Sequence, residues 1–116
     1  MKIPRIYTGP DGETYFGEID APLRDAGDIG MLSERQEATG IIFRETSGDY
    51  DYDWHNTPRR QYVIILEGEV DFTVSSGETR RFGGGDVVLL EDMDGKGHVS
   101  KAVDGQVRRS IFVTLD

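Results

Sequence analysis

Trp54-His55-Asn56-Thr57-Pro58-Arg59-Arg60-Gln61-Tyr62-Val63-Ile64-Ile65-Leu66-Glu67-Gly68 decides the fold of this chain. Its front is polar and turn-forming; its back is built for a sheet. Tyr62 to Leu66 is aromatic, β-branched and apolar, the pattern of a strand buried on both faces. Pro58 has no N–H to give a ladder, so it breaks the pairing and marks a turn. Gly68 ends the strand and lets the chain reverse. Alternate residues of an extended segment share a face, so Asp53, His55 and Thr57 point one way. With Gln61 facing that same way, Val63 and Ile65 follow. A hairpin then sets one imidazole and one carboxamide on the same wall of a sheet.

Working outward, short strands and turns alternate. Thr39 to Thr46 reads as a strand, with Ile41 and Phe43 on one face and Ile42 and Arg44 on the other. Ser47-Gly48-Asp49 turns into the acidic, aromatic run Tyr50 to Asn56. Downstream, Glu69–Ser75 alternates like a half-buried strand, Glu78–Phe82 returns, and Val87–Leu90 reads as fully buried. His98–Val103 and Val107–Leu115 close the chain around Asp104-Gly105, a strong hairpin signal. Upstream, Gly9-Pro10-Asp11-Gly12 is turn chemistry, followed by a strand over Glu13–Ile19. Pro22, Gly27 and Gly30 interrupt any period between 20 and 38, which reads as a loop with one helical turn near Leu32. The sum is about nine strands and no helix: an all-β sandwich, jelly roll or barrel.

Composition narrows the function. One domain suits 116 residues. Thirteen basic against 22 acidic residues, a net of −9, argues against nucleic acid and anionic membrane surfaces. No apolar run approaches the roughly 20 residues of a membrane span, and Met1-Lys2-Ile3-Pro4-Arg5 opens no secretion signal, so a cytoplasmic location is expected. With no cysteine there is no disulfide, thiolate site or cysteine nucleophile. Asp49, Asp51 and Asp53 mimic the start of a calcium loop, but the sixth position is Trp54 and the twelfth Arg60. No Ser-His-Asp pattern, phosphate loop or nucleotide fingerprint is present.

The order of His55, Gln61 and Gly68, then a Gly-Asp strand leading to a loop that ends in His98, resembles the cupin family. That family's first motif runs histidine, one residue, histidine, three or four residues, glutamate, six residues, glycine; those positions here hold His55, Thr57, Gln61 and Gly68. The glycine that should precede it is Gly48, one residue early. The second motif starts at Gly85 and ends in Gly95-Lys96-Gly97-His98. Its spacer is two residues longer than usual, its proline is missing, and Ala102 stands at the closing asparagine. The resemblance implies a cupin-type double-stranded β-helix, a jelly-roll barrel with both motifs facing one cavity. It makes residues 1–116 one cupin domain, with a core barrel from about 39 to 115 and a strand-and-loop extension over 1–38.

In cupins with a full site, three histidines and a glutamate hold a divalent ion. Here the resemblance implies His55, Gln61 and His98 as the metal set, for zinc, nickel, iron or manganese held weakly or not at all. Gln61 brings a neutral oxygen where a glutamate brings charge, and Thr57 is a poor ligand for borderline metals. Both of the chain's histidines fall on ligand positions. They are the catalytic candidates, as ligands or as acid and base. Arg60 is a candidate to grip a substrate carboxylate, and Phe43, Tyr62 and Glu91 complete the substrate-binding set. Glu91 or Asp92 would pair with an imidazole, or stay in a solvated loop; Lys96 would reach over the mouth, or stay solvated. Phe43, Tyr50, Trp54 and Tyr62 pack in the core or cavity by default, and Trp54, pointing outward, would suit a homodimer. Two functions follow: a small-molecule enzyme, metal-dependent or not, working in the barrel; or a non-catalytic ligand-binding or structural dimeric cupin. A barrel packed dry by Phe43, Ile65 and Val88 would favour the structural form.

Overall fold

Pro58 falls in the turn between two strands, where its missing N–H costs no ladder bond. The strands it separates are β6 (Asp51–His55) and β7 (Gln61–Glu67) in a computed structural model that describes residues 1–116. The others are β1 (Lys2–Thr8), β2 (Thr14–Asp20), β3 (Leu23–Asp25), β4 (Met31–Ser33), β5 (Gly40–Thr46), β8 (Glu69–Val74), β9 (Thr79–Gly83), β10 (Val87–Leu90), β11 (His98–Ala102) and β12 (Arg108–Thr114). The all-β class holds, and the one helical element is a 3₁₀ turn over Gly27–Ile29.

Two sheets face each other: six strands in the order β2-β1-β10-β7-β12-β5, and four in the order β6-β11-β8-β9. Period-2 alternation sends one face of each strand into the space between. Ile6, Val63, Ile65, Val88 and Leu90 from the larger sheet meet Val70, Phe72, Val74 and Phe82 from the smaller in one buried cluster. That cluster occupies the β1–β10–β7 side of one sheet and the β8–β9 side of the other. The opposite side lies between β12–β5 and β6–β11. There the inward positions turn polar: Arg44, Arg108 and Ser110 face His55, His98 and Ser100. The fold thus sets beside its apolar core a hollow with both polar and apolar walls.

Two elements differ from the sequence expectation. Lys2–Thr8 is a strand, pairing parallel to β10 through Arg5↔Leu89 and Ile6↔Leu90, with Ile6 fully buried. Local pattern could not reveal it, because Pro4 interrupts the run and the partner lies far along the chain. Residues 20–38 hold a small hairpin, β3 with β4, closed by the 3₁₀ turn, and Leu32 sits in a strand rather than a helical turn. Every residue of both strands is exposed, so no apolar alternation marks them.

Candidate functional site

The site begins at a close approach between backbones. Gly97 has φ of +72°, and a Cβ there would come within 2.3 Å of the His55 carbonyl oxygen. Only glycine lets β11 start that close to β6. His98 is consequently register partner to His55, with a ladder irregularity before Ser100. The two imidazoles stand with ring centroids 4.4 Å apart. Tyr52 packs on the far side of His55 at 3.9 Å, and Phe72 meets His98 edge-on at 5.5 Å.

The loop leading to His98 is tied down. Asn56 Nδ2 donates to the carbonyls of Asp92, Asp94 and Gly95, at 3.3, 2.9 and 3.2 Å. Thr57 N–H donates to the Asp92 carbonyl at 3.1 Å. From the amino-terminal hairpin, Thr14 Oγ1 donates to the Gly97 carbonyl at 2.6 Å. Lys96 does not reach over the cavity; it pairs with Glu13 at 2.5 Å.

Asp92 is the key to the imidazole chemistry. Its carboxylate is fully buried and accepts from Thr57 Oγ1 at 2.8 Å and His98 Nδ1 at 2.6 Å. An ionised carboxylate can only accept, so His98 Nδ1 carries a proton and Nε2 is the nitrogen left to meet a ligand. His55 Nδ1 lies 2.7 Å from the Asp53 carbonyl, which imposes the same tautomer. Burial, together with His98 and Arg44, favours neutral His55 and pushes its pKa below the ordinary histidine value; the Asp53 carbonyl and Asp92 oppose the shift without cancelling it. With Nδ1 of each ring committed to Asp92 or to the Asp53 carbonyl, Nε2 is the nitrogen left without a protein hydrogen bond.

These histidines line a cavity of about 390 Å³, open to solvent on one side, together with Gln61, Arg44, Arg108 and Tyr50. Gln61 is buried, and its Oε1 lies 3.4 Å from Arg59 Nη1. The donors facing the hollow are thus two imidazoles and one amide oxygen. Nowhere do three or more His, Cys, Asp or Glu side chains gather as a metal set. The Thr57 hydroxyl, at the family's second histidine position, is committed to Asp92.

Sequence reasoning brought His55, Gln61 and His98 together, and the structure does too. It places the four substrate-binding candidates elsewhere, which corrects their position. With Gln61 inward, alternation turns Arg60 and Tyr62 outward. Arg60 Nε pairs with Glu91 at 3.0 Å, Arg5 pairs with the other Glu91 oxygen at 3.0 Å, and the Tyr62 hydroxyl donates to Gln36 at 2.6 Å. They border a separate groove of about 670 Å³ outside the larger sheet, whose central charges are already matched. Phe43 is 76% exposed, beside Leu66 and Arg109 on the outer face. It therefore does not pack the barrel dry, although Ile65 and Val88 are buried. Trp54 points outward, half exposed, on the edge strand β6.

Two cavity residues were not singled out from the sequence as site residues. Arg108 is 4% exposed, and its Nε and Nη1 have no hydrogen-bond partner. Burial, reinforced by Arg44 and partly offset by Tyr50, pushes its pKa down to about 10, so it stays charged at neutral pH. The Arg44 guanidinium lies 5.1 Å from the Tyr50 ring centroid and 5.2 Å from that of Phe112; Arg108 lies 5.5 Å from Tyr50. The signal for Arg44 was that it shares a face of β5 with Ile42, opposite Ile41 and Phe43.

Comparison with known proteins fits this architecture. The family profile described as EutQ-like cupin domain matches residues 32–109. No curated protein matches the chain. Among solved structures, a conserved Streptococcus pyogenes protein of unknown function is 24% identical, with a TM-score of 0.53, over 73% of this chain and 69% of its own. A Neisseria meningitidis protein is 14% identical, with a TM-score of 0.52, over 72% of this chain and 84% of its own. A Salmonella typhimurium protein provisionally named ethanolamine utilization protein Q is 13% identical, with a TM-score of 0.52, over 99% of this chain and 95% of its own. At these identities the likeness is one of fold.

Proposed function

This chain belongs to the EutQ-like cupin family, and from that premise we propose that its cavity binds a small organic molecule against the His55–His98 pair, with no resident metal. The observation that carries this reading is the Asp92–His98 contact of 2.6 Å, which holds Nδ1 and leaves Nε2, with its lone pair in the neutral ring, at the wall of a hollow large enough for a ligand. A bound hydroxyl or N–H would donate to that lone pair. A proton taken there would sit on an imidazolium that Asp92 stabilises, so the pair suits general base and acid work as well as binding. His55, kept neutral by burial, would accept a second hydrogen bond.

The donor set argues against a tightly held divalent ion. Two imidazoles and a carboxamide supply no negative charge, and the guanidiniums of Arg44 and Arg108 share the cavity and repel a cation. If an ion enters, His55, His98 and Gln61 would hold it, supplying a Lewis acid at the same wall.

Having only two histidines makes the test direct. Their ring signals are followed by NMR while neutral, acidic and basic small molecules are added. Binders that move both signals support the reading; a screen in which nothing moves either overturns it. Metal content of protein purified without chelator or nickel tag tests the other half. One ion per chain, or strong retention of added zinc, nickel, manganese or iron(II), would reinstate the metal-dependent form.

A further inference from the structure

We infer that the ligand of this cavity is an anion, a small organic carboxylate whose head sits on the guanidiniums of Arg44 and Arg108; the inference deepens the small-molecule reading above and rests on it.

The chain is strongly acidic, and its other ion pairs show arginines finding carboxylates readily. Arg5, Arg24, Arg35, Arg60, Arg80, Arg81 and Arg109 all do so. Arg44, Arg59 and Arg108 do not; Arg59 reaches the Gln61 amide oxygen, whereas Arg44 and Arg108 stand together against one tyrosine ring. A guanidinium taken out of water without a counter-charge is costly, and two side by side also repel each other. Buried charges are ordinarily paired, so the missing partner is itself the signal. Nothing nearby supplies it. Thr46 and Ser110, register neighbours of Arg108 and Arg44 across the β5–β12 ladder, add only uncharged hydroxyls, themselves buried and unpartnered. No carboxylate lines the cavity, and both oxygens of Asp92, behind the histidine wall, are taken by Thr57 and His98. Arg108 Nε and Nη1 are enclosed without a partner, so an arriving anion would meet the guanidinium at its remaining nitrogen, Nη2, and offset the repulsion in one step.

The walls say which anion. Phosphate sites draw on backbone N–H groups of glycine turns and helix N-termini. No glycine lines this cavity, and the chain has no α-helix. Ile42, Val63, Phe72, Leu90 and Phe112 line it instead, an apolar surface suited to a hydrocarbon body. Carboxylate at the arginines, carbon skeleton on Phe112 and Val63, and a polar group near His55 and His98 together use every kind of wall present.

The test compares acetate, hexanoate and benzoate with their matched amides, and with inorganic phosphate, against the intact protein, Arg108→Met and Arg44→Met. Thermal shift and the two histidine signals are the readouts. The carboxylates should raise the melting temperature and move the histidine signals, and the amides at equal concentration should not. Each variant should weaken carboxylate binding roughly 10- to 100-fold. Without ligand, Arg108→Met should melt no lower than the parent, since it removes an unpaired buried charge. Amides binding as well as carboxylates, phosphate binding more tightly, or carboxylates indifferent to both variants would overturn the inference while leaving the cavity reading intact. If no compound of any charge moves either histidine, both fall together. Should Arg108→Met lose its native spectrum, a role in holding the fold replaces the one inferred, unless Arg44→Met keeps the spectrum and still loses the carboxylate.

Discussion

His98 Nδ1 lies 2.6 Å from Asp92 Oδ2, with the two side chains 2% and 0% exposed. The short distance and the exclusion of water make this one contact both structural and chemical. Asp92→Asn keeps the shape but presents an N–H₂ to one of two neighbours that each donate to the carboxylate. Stability should fall by about 3 kcal/mol, as when one member of a buried pair is removed. The His98 tautomer should lose its definition, visible in the ring nitrogen shifts. Unfolding with urea and nitrogen NMR check the two halves separately; unchanged ring shifts would mean Asp92 does not set the proton's position.

Gly97 supplies the backbone half of the same arrangement. A methyl group there meets the His55 carbonyl at 2.3 Å, on a residue with φ of +72°. Gly77 also has positive φ, at +108°, but a Cβ there meets nothing within 4 Å. Gly77→Ala should therefore show conformational strain alone, about 1–2 kcal/mol. Gly97→Ala should cost clearly more and disturb both histidine signals, because β6 and β11 must part. Equal losses for the two variants would show that the close approach is dispensable.

Much of this was readable beforehand, because it depends on alternation and turn chemistry. Pro58 and Gly68 bracket β7, and the parity of Gln61, Val63 and Ile65 puts one amide on the histidines' wall. The same parity sends Tyr62 and Arg60 outward, which their chemistry alone had obscured. Arg44 and Arg108 are harder. Charged residues are expected at the surface, and only the β5–β12 pairing, joining segments far apart in sequence, brings these two together. Glu91 and Asp92 were both candidates to meet an imidazole, and nothing local tells a buried carboxylate from a solvated one; it is Asp92 that is buried and holds His98. Lys2–Thr8 needed its parallel partner β10 before it could be recognised as a strand.

The depressed pKa of His55 carries a sign that can be checked. Its folded value lies below the ordinary one, near 6.5, mainly because burial disfavours the charged ring, with His98 and Arg44 adding to the effect. Between the two values the unfolded chain binds more protons than the folded one. Stability should rise with pH through that window, be complete above about 6.5, and decline as acid reaches the ring. Urea midpoints from pH 5 to 7.5 should show this slope in the parent and a shallower one in His55→Gln. Direct titration of the His55 ring signal should place its midpoint on the acid side of a free histidine.

Gln61 bears most directly on the metal question. It is buried in the histidines' cavity and differs from a glutamate by one charged atom. Gln61→Glu would complete a set of two imidazoles and a carboxylate, the donor combination of many catalytic zinc sites. The Arg59 guanidinium, 3.4 Å from the amide oxygen, would ease the burial of the new charge. Zinc affinity, measured by competition with a coloured chelator, should rise at least about tenfold over the parent, since charge and ligand basicity both increase. The gain should shrink on going from pH 7.5 to pH 5.5, where protons compete for both rings. A second change, His98→Ala, should abolish it. If Gln61→Glu binds zinc no better than the parent, position 61 is not aimed at the space the imidazoles share, and the polar wall must be redrawn around Arg44 and Arg108 alone.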